Sequence, residues 1–318
     1  MEGYSEGGPG SETAAGGLGA ALRSVVAITV TPFDGTGRVD EKAYGAVVER
    51  MVDGGIRAIT PNGNTSEFYA LTPAELDRAV EVTVEAVAGR SAVIAGVGYD
   101  VARAAELACT AAGAGAQAVM VHQPVHPYQS ADGWVAYHRA IADAVPELGV
   151  VCYVRNPLIP PSAFVALADA CPNVIGVKYA VPDVLALAEA VAAAGDTRLA
   201  WICGLAETWA PFFWLAGARG FTSGLATIAP ELSVELWRHL DAGAQAEAMR
   251  LWSVLKPIED LRARNGSADN VSVVKEALAQ LGLCGRSVRP PITELAAPDR
   301  AEVARILRSW RRVDPAVA

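Results

Sequence analysis

The sequence predicts a (β/α)8 barrel followed by a three-helix C-terminal extension. Three observations lead there. Eight short β-branched runs recur along the chain, a longer Ala-rich segment of helical spacing follows each one, and no strand-like run appears beyond residue 224. Strands joined by helical crossovers run parallel. Each run is apolar on both faces, so the sheet is covered throughout. A spacing of 20 to 35 residues between strands fits a closed barrel better than an open doubly wound sheet.

Residues 1–22, MEGYSEGGPGSETAAGGLGAAL, are rich in Gly, Ser and Ala and poor in large apolar side chains, which predicts a disordered tail. The barrel, residues 23–242, takes its strands from VVAITVTPF (25–33), RAITPNG (57–63), SAVIAGVG (91–98), QAVMVHQP (117–124), GVVCYVRN (149–156), VIGVKYA (174–180), RLAWICG (198–204) and GFTSG (220–224). The intervening helices carry their own signals. DEKAYGAVVERMVDGG, TPAELDRAVEVTVEAVAG and SADGWVAYHRAIADAV open on Asp, Thr or Ser caps, and the first two close on Gly. In TPAEL, Thr72 and Glu75 complete a capping box. ELSVELWRHLDAG closes the eighth unit, and three further helical patterns form the extension, residues 243–318.

Composition narrows the function. A chain of 318 residues, 52% hydrophobic and 19% charged, fills a large core. Its net charge of −9 argues against a nucleic-acid partner, and no apolar run is long enough to cross a membrane, which predicts a cytoplasmic protein. Five cysteines without a CxxC pair read as small core hydrophobes, and the four histidines lack ligand spacing, so no metal is expected. GVGYDV (96–101) follows a strand as a dinucleotide fingerprint does, but Val101 replaces its third small residue. A nicotinamide-dependent dehydrogenase is thereby the weaker reading.

The residues that matter lie at the C-terminal ends of the strands, where a barrel keeps its active face. Lys178 stands in the apolar run VIGVKYA, with no Asp or Glu within four residues to pair with it. A desolvated lysine loses its proton readily and becomes a nucleophilic amine, able to form a Schiff base with a carbonyl. Tyr153, on the adjacent fifth strand, offers a phenol as proton shuttle. Arg155 points the same way by the period of two, either to clamp a substrate carboxylate or to hold a structural ion pair. The NGNTSEF loop supplies hydroxyls, an amide and backbone N–H groups suited to a carboxylate, though an ordinary turn would look the same.

Taken together, GNTSE (63–67), the tyrosine of YVRN and the lysine of IGVKYA some 25 residues later resemble the dihydrodipicolinate synthase and N-acetylneuraminate lyase superfamily of Schiff-base lyases. The opening ITVTPFDGTGRVDEKAY is also similar to that family, and the resemblance spans residues 24–312. It implies a lyase that acts on a small 2-oxo acid without a separate cofactor, through a covalent imine on Lys178, usually in a homotetramer or dimer of dimers. By the same resemblance Tyr153 relays protons. Thr65 binds the 2-oxo acid carboxylate with Asn64 and Ser66 beside it, Gly204 lies near the substrate, and Ser223 contributes from the eighth strand.

Departures bear on the substrate. Where dihydrodipicolinate synthases carry a hydroxyl residue, a tyrosine reaching from a neighbouring subunit and an arginine, this chain has Asn64, His126 and Leu158. Where sialic acid lyases carry an acidic pair, only Glu207 remains beside Ala206. Tyr153 with Arg155 two positions on, and the aromatic pair after the threonine loop, look more like 5-dehydro-4-deoxyglucarate dehydratases. Arg155 or His126 would then read the far end of the substrate. Aldol and dehydratase chemistry both stay open, and a barrel that binds a 2-oxo acid without turnover is the alternative outside enzymes. The presence of both Lys178 and Tyr153 argues against that last reading.

Overall fold

The structure, a computed structural model, describes residues 14–195 and 198–310. Eight parallel strands close into a barrel in sequence order: β1 (Val25–Ile28), β2 (Ala58–Thr60), β3 (Ala92–Val97), β4 (Ala118–Val121), β5 (Gly149–Val154), β6 (Val174–Tyr179), β7 (Ala200–Cys203) and β8 (Gly220–Ser223). All eight fall inside the runs expected from the sequence. Closure leaves no sheet edge, and alternate residues fill the interior, among them Val26, Ala58, Ile94, Met120, Val151 and Ile202.

Helices α2 (Glu41–Asp53), α3 (Pro73–Val87), α4 (Val101–Gly113), α5 (Ala131–Ala144), α6 (Pro161–Ala170), α7 (Val184–Ala194), α8 (Ala206–Leu215) and α9 (Pro230–Asp241) form the outer ring. Their starts follow from local chemistry. Asp40, Thr72, Asp100, Ser130 and Asp183 each accept a backbone N–H at an N-cap, and Thr72 with Glu75 forms the expected capping box. The extension is α10 (Gln245–Ser267), α11 (Asn270–Gln280) and α12 (Ala297–Trp310), with α10 leaving helical geometry at Arg264–Gly266. Among the described residues no helix is long and apolar enough to cross a membrane.

Two expectations need correction. The tail is helical in part: α1 spans Ala14–Leu22, while residues 1–13 lie outside the described residues. Leu22 and Ala21 are buried in the barrel's own interior cluster with Leu18 against it. A Cβ on Gly149, at the start of β5, would stand 2.9 Å from Leu18 Cδ2, and one on Gly220, at the start of β8, 2.2 Å from the Leu22 carbonyl. The helix therefore plugs the N-terminal end of the barrel, and burying Leu18 and Leu22 supplies the stabilisation that composition alone did not reveal. The cysteines differ as well. Cys152, Cys171 and Cys203 are buried, but Cys109 is exposed on α4 and Cys284 is half-buried.

Candidate active site

At the opposite, C-terminal end of the barrel a cleft of about 1260 Å³ opens between the strand ends and the extension. Lys178 lies at its floor. It is 6% exposed, sits directly beside Tyr153 in the β5–β6 register, and holds its Nζ 4.0 Å from the centre of the tyrosine ring. Among the described residues no carboxylate pairs with it. Burial, reinforced by the positive charge of Arg155, lowers its pKa from the ordinary 10.5 to about 7. A large share of the amine is thus unprotonated near neutrality, as a nucleophile requires. Room for the lysine comes from Gly204, whose Cβ would stand 2.6 Å from Ala180 Cβ and 3.1 Å from Lys178 Cγ.

Tyr153 is likewise buried, and its phenol is raised above the ordinary 10.0 by that burial, so it holds its proton. Asn64 Nδ2 donates to its hydroxyl at 3.4 Å, which orients the phenol toward the loop after β2. From that loop Thr65, 7% exposed, also lines the cleft. Arg155 is exposed at the end of β5 and lines the same wall. Among the described residues it has no carboxylate partner, so of its two possible roles the structural ion pair is not made. His126 reaches the rim, exposed, with Nδ1 3.1 Å from the Tyr128 backbone N–H that donates to it.

Ser66 and Ser223 do not face the cleft. Ser66 is buried, donates to the Thr29 carbonyl at 2.6 Å and accepts the Gly63 N–H at 3.1 Å, so it stitches the loop to the end of β1. Ser223 donates to Glu207 Oε1 at 2.5 Å, in the layer between β8 and the outer helices. Strand alternation explains this, because Thr222 takes the inward position and lines the cleft instead. Glu207 is fully buried, also accepts from Ser233 at 2.7 Å, and is held by burial and by the charge of Glu259 well above the ordinary carboxylate range.

The loop bearing Thr65 is tied from behind. Glu67 takes a left-handed backbone conformation (φ 62°), and its buried carboxylate pairs with Lys275 of α11 and accepts the Arg289 N–H at 2.8 Å. Arg289 reaches on to Glu75 of the capping box at 2.6 Å. Sequence reasoning missed this network because its members stand more than 200 positions apart. It also passed over His122, a buried residue of the cleft wall inside the fourth strand-like run, QAVMVHQP.

Among the described residues no group of three His, Cys, Asp or Glu side chains is placed to hold a metal ion. The glycines of GVGYDV are covered, Gly96 by the Asn62 carbonyl and Gly98 by Phe68 and His122, so no pyrophosphate can approach them.

Residues 21–310 match the model of the dihydrodipicolinate synthetase family. The chain is 34% identical to "Probable 5-dehydro-4-deoxyglucarate dehydratase" of Methylobacterium radiotolerans, covering 92% of this chain and 96% of that protein. It is 32% identical to 4-hydroxy-tetrahydrodipicolinate synthase of Phenylobacterium zucineum, covering 90% and 97%. Among solved structures, dihydrodipicolinate synthase from Oceanobacillus iheyensis superposes with a TM-score of 0.90 at 39% identity, covering 94% of this chain and 99% of the other. The enzyme of the same name from Bacillus clausii gives 0.89 at 42%, covering 92% and 99%.

Proposed function

The chain belongs to the dihydrodipicolinate synthetase family and is a lyase of that family, and from this premise we propose that it works through an imine formed between Lys178 and a 2-oxo acid. The observation that carries the reading is the buried, carboxylate-free amine of Lys178 beside the ring of Tyr153. The amine attacks the C2 carbonyl, a C–N bond forms, and the carbinolamine loses its oxygen as water to give an iminium. The iminium draws off the electron pair released when the C3–C4 bond breaks, or when C3 loses a proton and a hydroxyl leaves from C4.

Tyr153, protonated at rest, gives its proton to the departing oxygen and recovers one from the substrate, with Asn64 fixing its direction. Thr65 and the neighbouring backbone N–H groups hold the substrate carboxylate. Arg155, which pairs with no carboxylate among the described residues, reads the far end together with His126. That free guanidinium and the size of the cleft favour a long, doubly acidic substrate of the kind named for the dehydratase relatives over a three-carbon one. We extend the reading to a cytoplasmic protein and to a homotetramer, the latter because the large apolar residues Val125, Tyr128 and Leu158 are 63%, 85% and 82% exposed at or beside the cleft, where a second copy would cover them.

Borohydride reduction in the presence of pyruvate should add one pyruvyl group at Lys178, seen by peptide mass mapping. An unmodified Lys178, or the same adduct in Lys178→Ala, removes the imine from consideration. A screen of 2-oxo acids for water loss against pyruvate release then separates dehydratase from aldolase, and turnover of none of them would favour the binding-only reading.

A further inference from the structure

The two glycines of GVGYDV have a use unrelated to nucleotides. Gly96 and Gly98, on and just after β3, leave room for the imidazole of His122, which follows β4. A Cβ on Gly96 would stand 2.1 Å from the Asn62 carbonyl oxygen and 3.1 Å from His122 Nε2, and one on Gly98 would stand 3.0 Å from His122 Cβ. Through that gap His122 Nε2 reaches the Asn62 carbonyl at 2.8 Å. Asn62 is itself pinned in a left-handed conformation (φ 60°) by donating to the Leu76 carbonyl at 2.9 Å. A carbonyl only accepts, so Nε2 carries the hydrogen and Nδ1 is left as a lone-pair acceptor.

The ring cannot turn to find another partner. Phe68 stacks on it at 4.3 Å between centroids, and Tyr99 stacks on Phe68 in turn at 4.8 Å. Burial, with the nearby charge of Lys178, lowers the imidazole to about 4, so it stays neutral. With its Cδ2–Nε2 edge turned to β3, the opposite edge faces the β5 side, where the Tyr153 ring lies 6.0 Å away. His122 is 2% exposed and lines the cleft, and its Nδ1 has no hydrogen-bond partner among the described residues. A buried acceptor left unpaired costs about 1–3 kcal/mol.

We infer that His122 is a specificity residue whose Nδ1 accepts a hydrogen bond from a hydroxyl group on the substrate carbons beyond C3. The inference rests on the imine at Lys178, which fixes C2 on one side of Tyr153 and sends the rest of the chain across it toward β4. The substrate class is then a hydroxylated 2-oxo-3-deoxy sugar acid. An acid without the hydroxyl leaves Nδ1 unpaired and is disfavoured on the order of 10- to 100-fold.

The test compares wild type with His122→Asn, His122→Gln and His122→Leu. The Asn side chain places an oxygen near the Nδ1 position, the Gln side chain places its polar end near Nε2, and the Leu side chain offers neither. Borohydride trapping at a series of concentrations gives an apparent affinity for pyruvate and for a six-carbon 2-oxo-3-deoxyaldonate, and the readout is their ratio. In His122→Gln and His122→Leu the ratio should fall at least tenfold, while His122→Asn keeps most of it. A ratio within twofold of wild type in both Gln and Leu variants, each still forming the pyruvate adduct, overturns the inference and leaves Nδ1 a buried acceptor that no substrate hydroxyl satisfies. If wild type forms no adduct, the imine reading fails by itself. Calorimetric binding of the same two acids to the same variants then decides the role of His122.

Discussion

Replacing Lys178 by methionine removes the reactive amine and also releases the fold from holding an unpaired cation. In the folded protein the amine titrates near 7 against an ordinary 10.5, chiefly because it is buried. At pH 7 this corresponds to ~4 kcal/mol of lost stability, at 1.36 kcal/mol for each tenfold change in proton affinity. The sign follows from proton counts. Between about 7 and 10.5 the unfolded chain keeps a proton that the folded protein has released, so stability rises with pH across that window. Lys178→Met, similar in volume and free of that proton, should therefore melt ~6 °C above wild type at pH 7 for a chain of this length. At pH 10 the stability difference should shrink below ~1 kcal/mol. Scanning calorimetry at the two pH values measures both. A variant no more stable than wild type, or one whose advantage does not change with pH, would refute the claim that burial sets the reactivity of this amine.

If Tyr153 carries the protons as proposed, Tyr153→Phe should lower kcat on the order of 10²–10³-fold with KM changed far less, since the carboxylate contacts stay in place; steady-state kinetics on whichever 2-oxo acid the screen shows to be turned over decides. Gly204→Ala pushes a methyl group against Ala180 and Lys178 Cγ and should slow imine trapping by pyruvate at least tenfold, read as the rate of borohydride-fixed adduct. Glu67→Gln strands the buried Lys275 ammonium and should cost ~3–5 kcal/mol in urea denaturation; a loss under ~1 kcal/mol would show the pair to be idle. For Glu207, raised from 4.5 to about 7, the folded state keeps a proton that the unfolded chain gives up, so stability falls as pH rises through that window. Glu207→Gln should exceed wild type in melting temperature above pH 7, with the difference closing below 4.5.

What the sequence disclosed, and what it did not, divides along the range of the forces involved. The eight strands and the capped helices are set by local apolar runs and by Asp, Ser and Thr at helix starts, and Lys178 announced itself as a charge in one of those runs. Tyr153 followed, because its strand adjoins the lysine's and residues at matching depth face the same interior. Ser223 was expected to face the cleft but points away from it, because one position on a strand reverses the face, and Thr222 lines the cleft. Ser66 has the composition of a carboxylate binder but satisfies the backbone of β1. Helix α1 was invisible in a Gly- and Ala-rich stretch, since its stability comes from the barrel end it covers. The Glu67, Lys275 and Arg289 network has no local signature at all.

That network also sets an order of events during synthesis. The segment from Gly63 to Glu67 leaves the ribosome early, and its strand can pair with β1 and β3 as soon as they exist. Its shape at Thr65, however, depends on a cation from position 275 and a backbone N–H from position 289, close to the end of the chain. A nascent barrel carrying all eight strands thus still lacks the ties that hold the loop we propose as the carboxylate site. The amine of Lys178 can be present and buried before that loop is tied down, and only the arrival of residues 275 and 289 joins the two.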